Sequence, residues 1–205
     1  MSPTLQDLTL RLPGTWCHLT LDPEVDAVEV AAQVDERIAQ QSDLAPARQA
    51  LIDLFLGWGD SARELGATMA AMRYDQDPEF GLAAATLLVL TSARDETQPV
   101  EADLADLRDR LAKPEPFDQF PPHLEEVDLP LGRALRLEAV REPVSETPDR
   151  VRLRSVLQYW IPLAARPYTL EFEATTSNLV AAPDIAAEVE AIVASVTEAN
   201  DFGKG

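Results

Sequence analysis

Glu171 and Glu173 alternate along YTLEFEATT (168–176). An extended chain puts both carboxylates on one strand face, about 7 Å apart at the backbone. Two carboxyl groups at such spacing can flank a reacting bond, one as acid and the other as base or nucleophile, as in glycoside hydrolysis. The same alternation is common on solvated strand faces, and no neighbouring motif reinforces a catalytic role here.

The other groups able to do chemistry are few. Cys17 is the only cysteine, and the two histidines are His18 and His123. Adjacent residues on a strand face opposite sides, so Cys17 and His18 are poorly placed to serve one site as nucleophile and base. A distant pairing of Cys17 with His123 is the alternative; the simpler reading is a small buried thiol and structural or exposed histidines. Asp75, Asp77 and Glu79 alternate in DQDPEF like the start of a calcium loop, but Phe80 and Thr86 stand where the loop needs glycine and glutamate. A hairpin turn explains them better. Gly57 and Gly59 precede Asp60 with no GKS or GKT, and the terminal FGKG has no helix behind it, so neither is a phosphate loop. No nucleophile elbow, HExxH, CxxC or internal repeat occurs. No catalytic residue, metal ligand or cofactor is assigned.

These side chains must be carried by a core. At 205 residues, with 46% hydrophobic and 26% charged side chains, the composition is that of a globular protein. The formal charge of −19 repels a phosphate backbone, which argues against nucleic acid and leaves a basic partner, a cation or simple solubility. A lone cysteine allows no intrachain disulfide, and a cytoplasmic location is expected on that basis. The N-terminal stretch shows no basic region followed by an apolar run, and GLAAATLLVL (81–90) is about half the length of a membrane span, so no membrane insertion is expected.

Along the chain, LTLRL alternates as a strand that turns at Pro13 and Gly14 and pairs with TWCHLTL. Asp22 and Pro23 open a helix to about Gln41, with Val30, Val34 and Ile38 as its stripe. A second helix, about Pro46 to Leu65, puts Leu51, Phe55, Trp58, Ala62 and Leu65 on one side and ends at Gly66. Two strands flank DQDPEF, the second apolar enough to lie centrally. A short helix follows over Glu101 to Ala112, then the Pro-rich connector 113–123, the one candidate internal division. Four strands and a helix over Ala182 to Val196 complete the chain. The expected fold is a single α+β domain over 1–200, or two similar lobes packed together, with a mostly antiparallel sheet covered on one face by helices and 201–205 a disordered tail.

Val151, Leu153, Ser155, Leu157 and Tyr159 alternate with Arg152, Arg154, Val156, Gln158 and Trp160. In a hairpin with YTLEFEATT, Arg152 or Arg154 would meet Glu171 or Glu173 across the strands. Trp58 is accounted for by its helical stripe, whereas Trp160 shares a strand face with the arginines.

The order LPGTW, PARQALIDLF, the hairpin around DPEFG, DLPLGRALRLEAV, LQYWIPL and YTLEFEATTSN resembles a family of uncharacterised actinobacterial proteins over most of the chain. The C-terminal strands, ending in TTSN before a closing helix, are similar to the Mog1/PsbP-like α+β sandwich. That resemblance implies a binding or assembly factor and supplies no catalytic residue. The expectation is a non-enzymatic accessory protein that binds a protein partner through a strand surface of Arg152, Arg154, Trp160, Glu171 and Glu173. Its alternatives are a small-molecule-binding protein or hydrolase-like enzyme with a carboxylate-lined pocket, and a purely structural chain.

Overall fold

The computed structural model describes residues 8–22, 27–40, 42–77, 81–113, 115, 117–142 and 153–198, and of these only the backbone at 40, 43, 75–77 and 81–83. The elements run β1 (Leu8–Thr9), β2 (Trp16–Leu19), α1 (Ala27–Gln40), a 3-10 segment (Ser42–Ala47) and α2 (Arg48–Glu64). They continue as β3 (Met69–Asp77), β4 (Gly81–Ala93), α3 (Val100–Leu111), β5 (His123–Leu129), β6 (Gly132–Arg141), β7 (Arg154–Pro162), β8 (Tyr168–Thr176), α4 (Ala182–Ala194) and β9 (Thr197–Glu198).

Seven strands form one antiparallel sheet in the order β2-β3-β4-β8-β7-β6-β5. Strands from before and after the Pro-rich connector meet at its centre, where β4 pairs with β8. In this central position both faces of β4 are covered over residues 85–89, which accounts for the apolar character of that stretch. The opening strand departs from expectation: β1 pairs with β9, not β2, and β2 pairs with β3. Arg11 N–H donates to Ser195 Oγ at 2.9 Å, so the two ends of the described chain run side by side.

Helices cover both faces, which corrects the one-face arrangement. The period-two alternation fills one face with Leu87, Val89, Leu157, Tyr159, Leu170 and Phe172, packed under Ile185, Val189, Ile192 and Val193 of α4. The opposite face carries two separate apolar clusters. Over β2, β3 and β4, Leu19, Met72 and Leu88 meet Val34 of α1 and Leu51 and Phe55 of α2. Over β6 and β7, Leu135, Leu137, Ala139 and Trp160 meet Leu104 and Leu107 of α3.

Local chemistry sets the helix positions. Gly59 sits in α2 where an added Cβ would lie 3.1 Å from the Thr20 carbonyl oxygen, so glycine lets the helix approach the end of β2. Gly66 has φ +75° and closes α2, with Ala67 N–H bonding back to the Ala62 carbonyl. Leu65, placed on the core stripe by its spacing, is exposed because it lies in this closing turn. Arg94, its side chain 4% exposed, pairs with Asp103 at 2.7 Å and donates to the carbonyls of Leu163 and Gln98, fixing α3 to the strand ends.

The start of the helix expected at Pro23, the turn residue Glu79 with the side chains of Asp75 and Asp77, Arg152, and the tail 201–205 lie outside the described residues.

Candidate functional site

The short loop between β7 and β8 fixes a register in which Trp160 opposes Glu171 and Gln158 opposes Glu173. Arg154, exposed at the start of β7, lies beyond both carboxylates and meets neither, contrary to the expected arginine–glutamate ladder. Glu173 accepts from Gln158 Nε2 at 2.6 Å, and Glu171 accepts from Ser92 Oγ. One position further, the Thr86 and Thr175 hydroxyls share a hydrogen bond of 2.8 Å. These groups form a polar seam on β8 between the cluster under α1 and α2 and the cluster under α3.

Trp160 does not belong to an exposed surface. It is 7% exposed and packs beneath α3 with Leu135 and Leu137. An amphipathic helix covered the strand face that alternation alone leaves open, so the proposed strand surface of Arg154, Trp160, Glu171 and Glu173 is not one accessible patch.

The thiol–histidine alternative is also undone by topology. Cys17 is on β2 and His123 on β5, the two edges of the sheet. Six interstrand steps separate them by about 29 Å. Burial raises the Cys17 thiol above its ordinary pKa, opposed by Arg37, so the group is poorly suited to act as a thiolate nucleophile. Glu171 and Glu173 lie on the face opposite His123.

A cleft that sequence reading missed lies along α4. It has a volume of about 450 Å³ and opens between the first turns of the helix and the faces of β5, β6 and β7. Its floor includes Glu138, Leu157 and Thr176, and its helical wall is formed by Ala182, Ile185 and Ala186. Phe120 and Leu179, 66% and 42% exposed, stand on its rim. The nearest sequence signal is the pair of alanines at 182 and 186, which are four apart where Ile185 and Val189 fill the core.

Beyond the cleft, the same face carries a charged array. Arg136 donates to Tyr159 Oη at 3.1 Å and to Glu125 at 2.7 Å, and it also pairs with Glu138. Burial raises the Tyr159 phenol above its ordinary pKa, while Arg136 opposes the shift. His123 lies 3.8 Å from Glu125 and lines the cleft. Among the described residues, no group of three or more His, Cys, Asp or Glu is arranged to hold a metal ion. Nor is any helix there long and apolar enough to cross a membrane.

Comparison with known proteins gives a fold but no family, since neither protein-family profiles nor curated proteins match the sequence. The chain is similar in structure to LpqN of Mycobacterium tuberculosis, described as involved in cell envelope biogenesis. The TM-score is 0.50 at 13% identity, over 93% of this chain and 82% of that one. The likeness is to an actinobacterial protein, at the level of the fold. It corrects the cytoplasmic expectation, because this fold occurs in a protein described by its role in the envelope. The physical reason is simple: one cysteine forms no intrachain disulfide in any compartment, so its count does not discriminate between them.

Proposed function

We propose that the chain is a non-enzymatic accessory or assembly factor of the cell envelope that binds a protein partner in the cleft along α4. It would do so as one α+β domain of the Mog1/PsbP-like sandwich type. The observation that carries this reading is the cleft itself, with Phe120 and Leu179 exposed on its rim. Large apolar side chains gathered beside a concavity favour recognition of another surface. The strands on both sides of the Pro-rich connector support a single domain, because they share one hydrogen-bonded sheet. The envelope setting rests on the description of LpqN.

A photo-crosslinking residue at Leu179, in cells of the native organism, tests the reading against the same residue at Leu65, which is exposed in the turn after α2. Protein adducts from position 179 and not from position 65 are expected. Equal adducts from both positions, or none from 179, would remove the cleft from consideration as a partner site.

A second reading, a small-molecule binder, draws on the cleft volume, which falls within the range of about 300–1,000 Å³ typical of ligand pockets. Its lining carboxylate would be Glu138, in place of Glu171 or Glu173. Native mass spectrometry of the protein purified from its own cells, showing a retained small ligand that Ala186→Leu abolishes, would favour this alternative.

A further inference from the structure

We infer that the cleft along α4 accepts a basic peptide segment, with one bulky apolar side chain seated against Leu157 and Ala186 and Lys or Arg on its flanks. This inference rests on the partner-binding reading above and adds the chemistry of the partner. The apolar part follows from the walls: Leu157 and Ile185 are buried, while Ala182 and Ala186 leave the space that larger side chains would fill. Phe120 and Leu179 stand exposed beside that space and could close over an inserted side chain.

The sign of the flanking charge follows from what surrounds the cleft. Glu138 lines it, Asp184 is exposed in the first turn of α4, and Glu125 lies on the adjoining strand face. Glu190, one turn beyond Ala186, is close enough to act on the Tyr159 phenol. Among the described residues, the cation inside this group is Arg136, its side chain only 15% exposed and already bonded to Tyr159, Glu125 and Glu138. It has little left to offer an incoming carboxylate. An acidic segment would therefore meet repulsion, reinforced by the formal charge of −19, whereas a basic one would be attracted. The paired ends of the described chain, β1 and β9, lie at the other end of α4, about 20 Å along its axis. The cleft therefore lies away from those paired strands.

The test uses the intact protein and three capped peptides: Lys-Lys-Leu-Trp-Lys-Lys, Glu-Glu-Leu-Trp-Glu-Glu and Lys-Lys-Ser-Gly-Lys-Lys. Affinity is read by calorimetry and location by amide shifts in NMR. The basic anchored peptide should shift the amides of Leu157, Leu179 and Ala186 and bind at least about tenfold more tightly than either control, a difference of about 1.4 kcal/mol. Ala186→Leu should weaken it by about tenfold, as should Phe120→Ser at an exposed position where folding is not at stake. Glu190→Lys should weaken the basic peptide and strengthen the acidic one.

Equal binding of the two anchored peptides at the cleft would overturn the basic partner while leaving the partner site intact. Equal binding of the anchor-free peptide would reduce the effect to general charge attraction and overturn the inference. Absence of cleft shifts with every peptide would also overturn it, and the crosslinking at Leu179 would then decide the cleft separately.

Discussion

Trp16 donates its indole Nε1–H to Glu188 Oε2 at 2.7 Å, joining β2 to α4 across 172 residues of sequence. Thr15 Oγ donates to the same oxygen at 3.1 Å, and Arg73 pairs with the other carboxylate oxygen at 3.0 Å. One glutamate on the last helix thus satisfies groups from β2 and β3. Without it, the indole N–H loses its carboxylate acceptor and Arg73 loses this ion pair. Glu188→Ala should destabilise the protein by about 2–4 kcal/mol, and Glu188→Gln by less, because the amide oxygen can still accept from the indole. Urea unfolding checks the order; equal stability of Glu188→Ala and the wild type would show that water replaces these bonds without loss.

Trp160 gives a second prediction. Because it fills the cluster beneath α3, Trp160→Ala should cost about 3–5 kcal/mol through lost burial and a residual cavity. Phe120→Ser, at an exposed position, should change stability by no more than about 0.5 kcal/mol. Thermal and urea melts of the two variants separate a core residue from a recognition residue. Similar behaviour of the pair would contradict the packing described here.

Alkaline pH gives a third. Tyr74 is buried against Phe55, its hydroxyl finds no hydrogen-bond partner in good geometry among the described residues, and the Arg37 guanidinium lies 5.7 Å from its ring centre. Burial raises the pKa of both the Tyr74 phenol and the Cys17 thiol above their ordinary values of 10.0 and 9.0. The folded protein therefore keeps protons that the unfolded chain releases. Stability associated with these groups is fully present below pH 9.0 and falls as pH rises through 9.0 and then 10.0. Cys17→Ala should flatten the first part of this decline and Tyr74→Phe the second, in urea midpoints measured from neutral pH to above 10. At neutral pH, Tyr74→Phe should lie within about 1 kcal/mol of the wild type, since it removes a poorly satisfied buried hydroxyl. An unchanged alkaline slope in both variants would place the titrating groups elsewhere.

Much of the fold was legible because its elements carry strong periodic signals. Val30 and Val34 on α1, Leu104 and Leu107 on α3, and Ile185, Val189 and Ile192 on α4 repeat at helical spacing, and all are buried. Tyr168, Leu170, Phe172 and Ala174 alternate and are buried together on β8. The site was less legible. Alternation places Trp160, Glu171 and Glu173 on one face correctly, but says nothing of the helix that covers part of it.

The sequence by itself determined roughly where most helices and strands lie, the apolar stripes of the helices and of β8, and that the chain is strongly acidic. Those properties depend on spacing over a few residues and on summed charge. Tertiary structure alone decided that Cys17 and His123 occupy opposite edges of the sheet, that β1 closes on β9, and that Trp160 lies beneath α3. It also decided where a cleft remains: Ala182 and Ala186 of α4 come to face Glu138, Leu157 and Thr176 of three strands across a gap. Strand order and helix placement arise from contacts between segments far apart in the chain, and local periodicity does not encode which distant partner each face will meet.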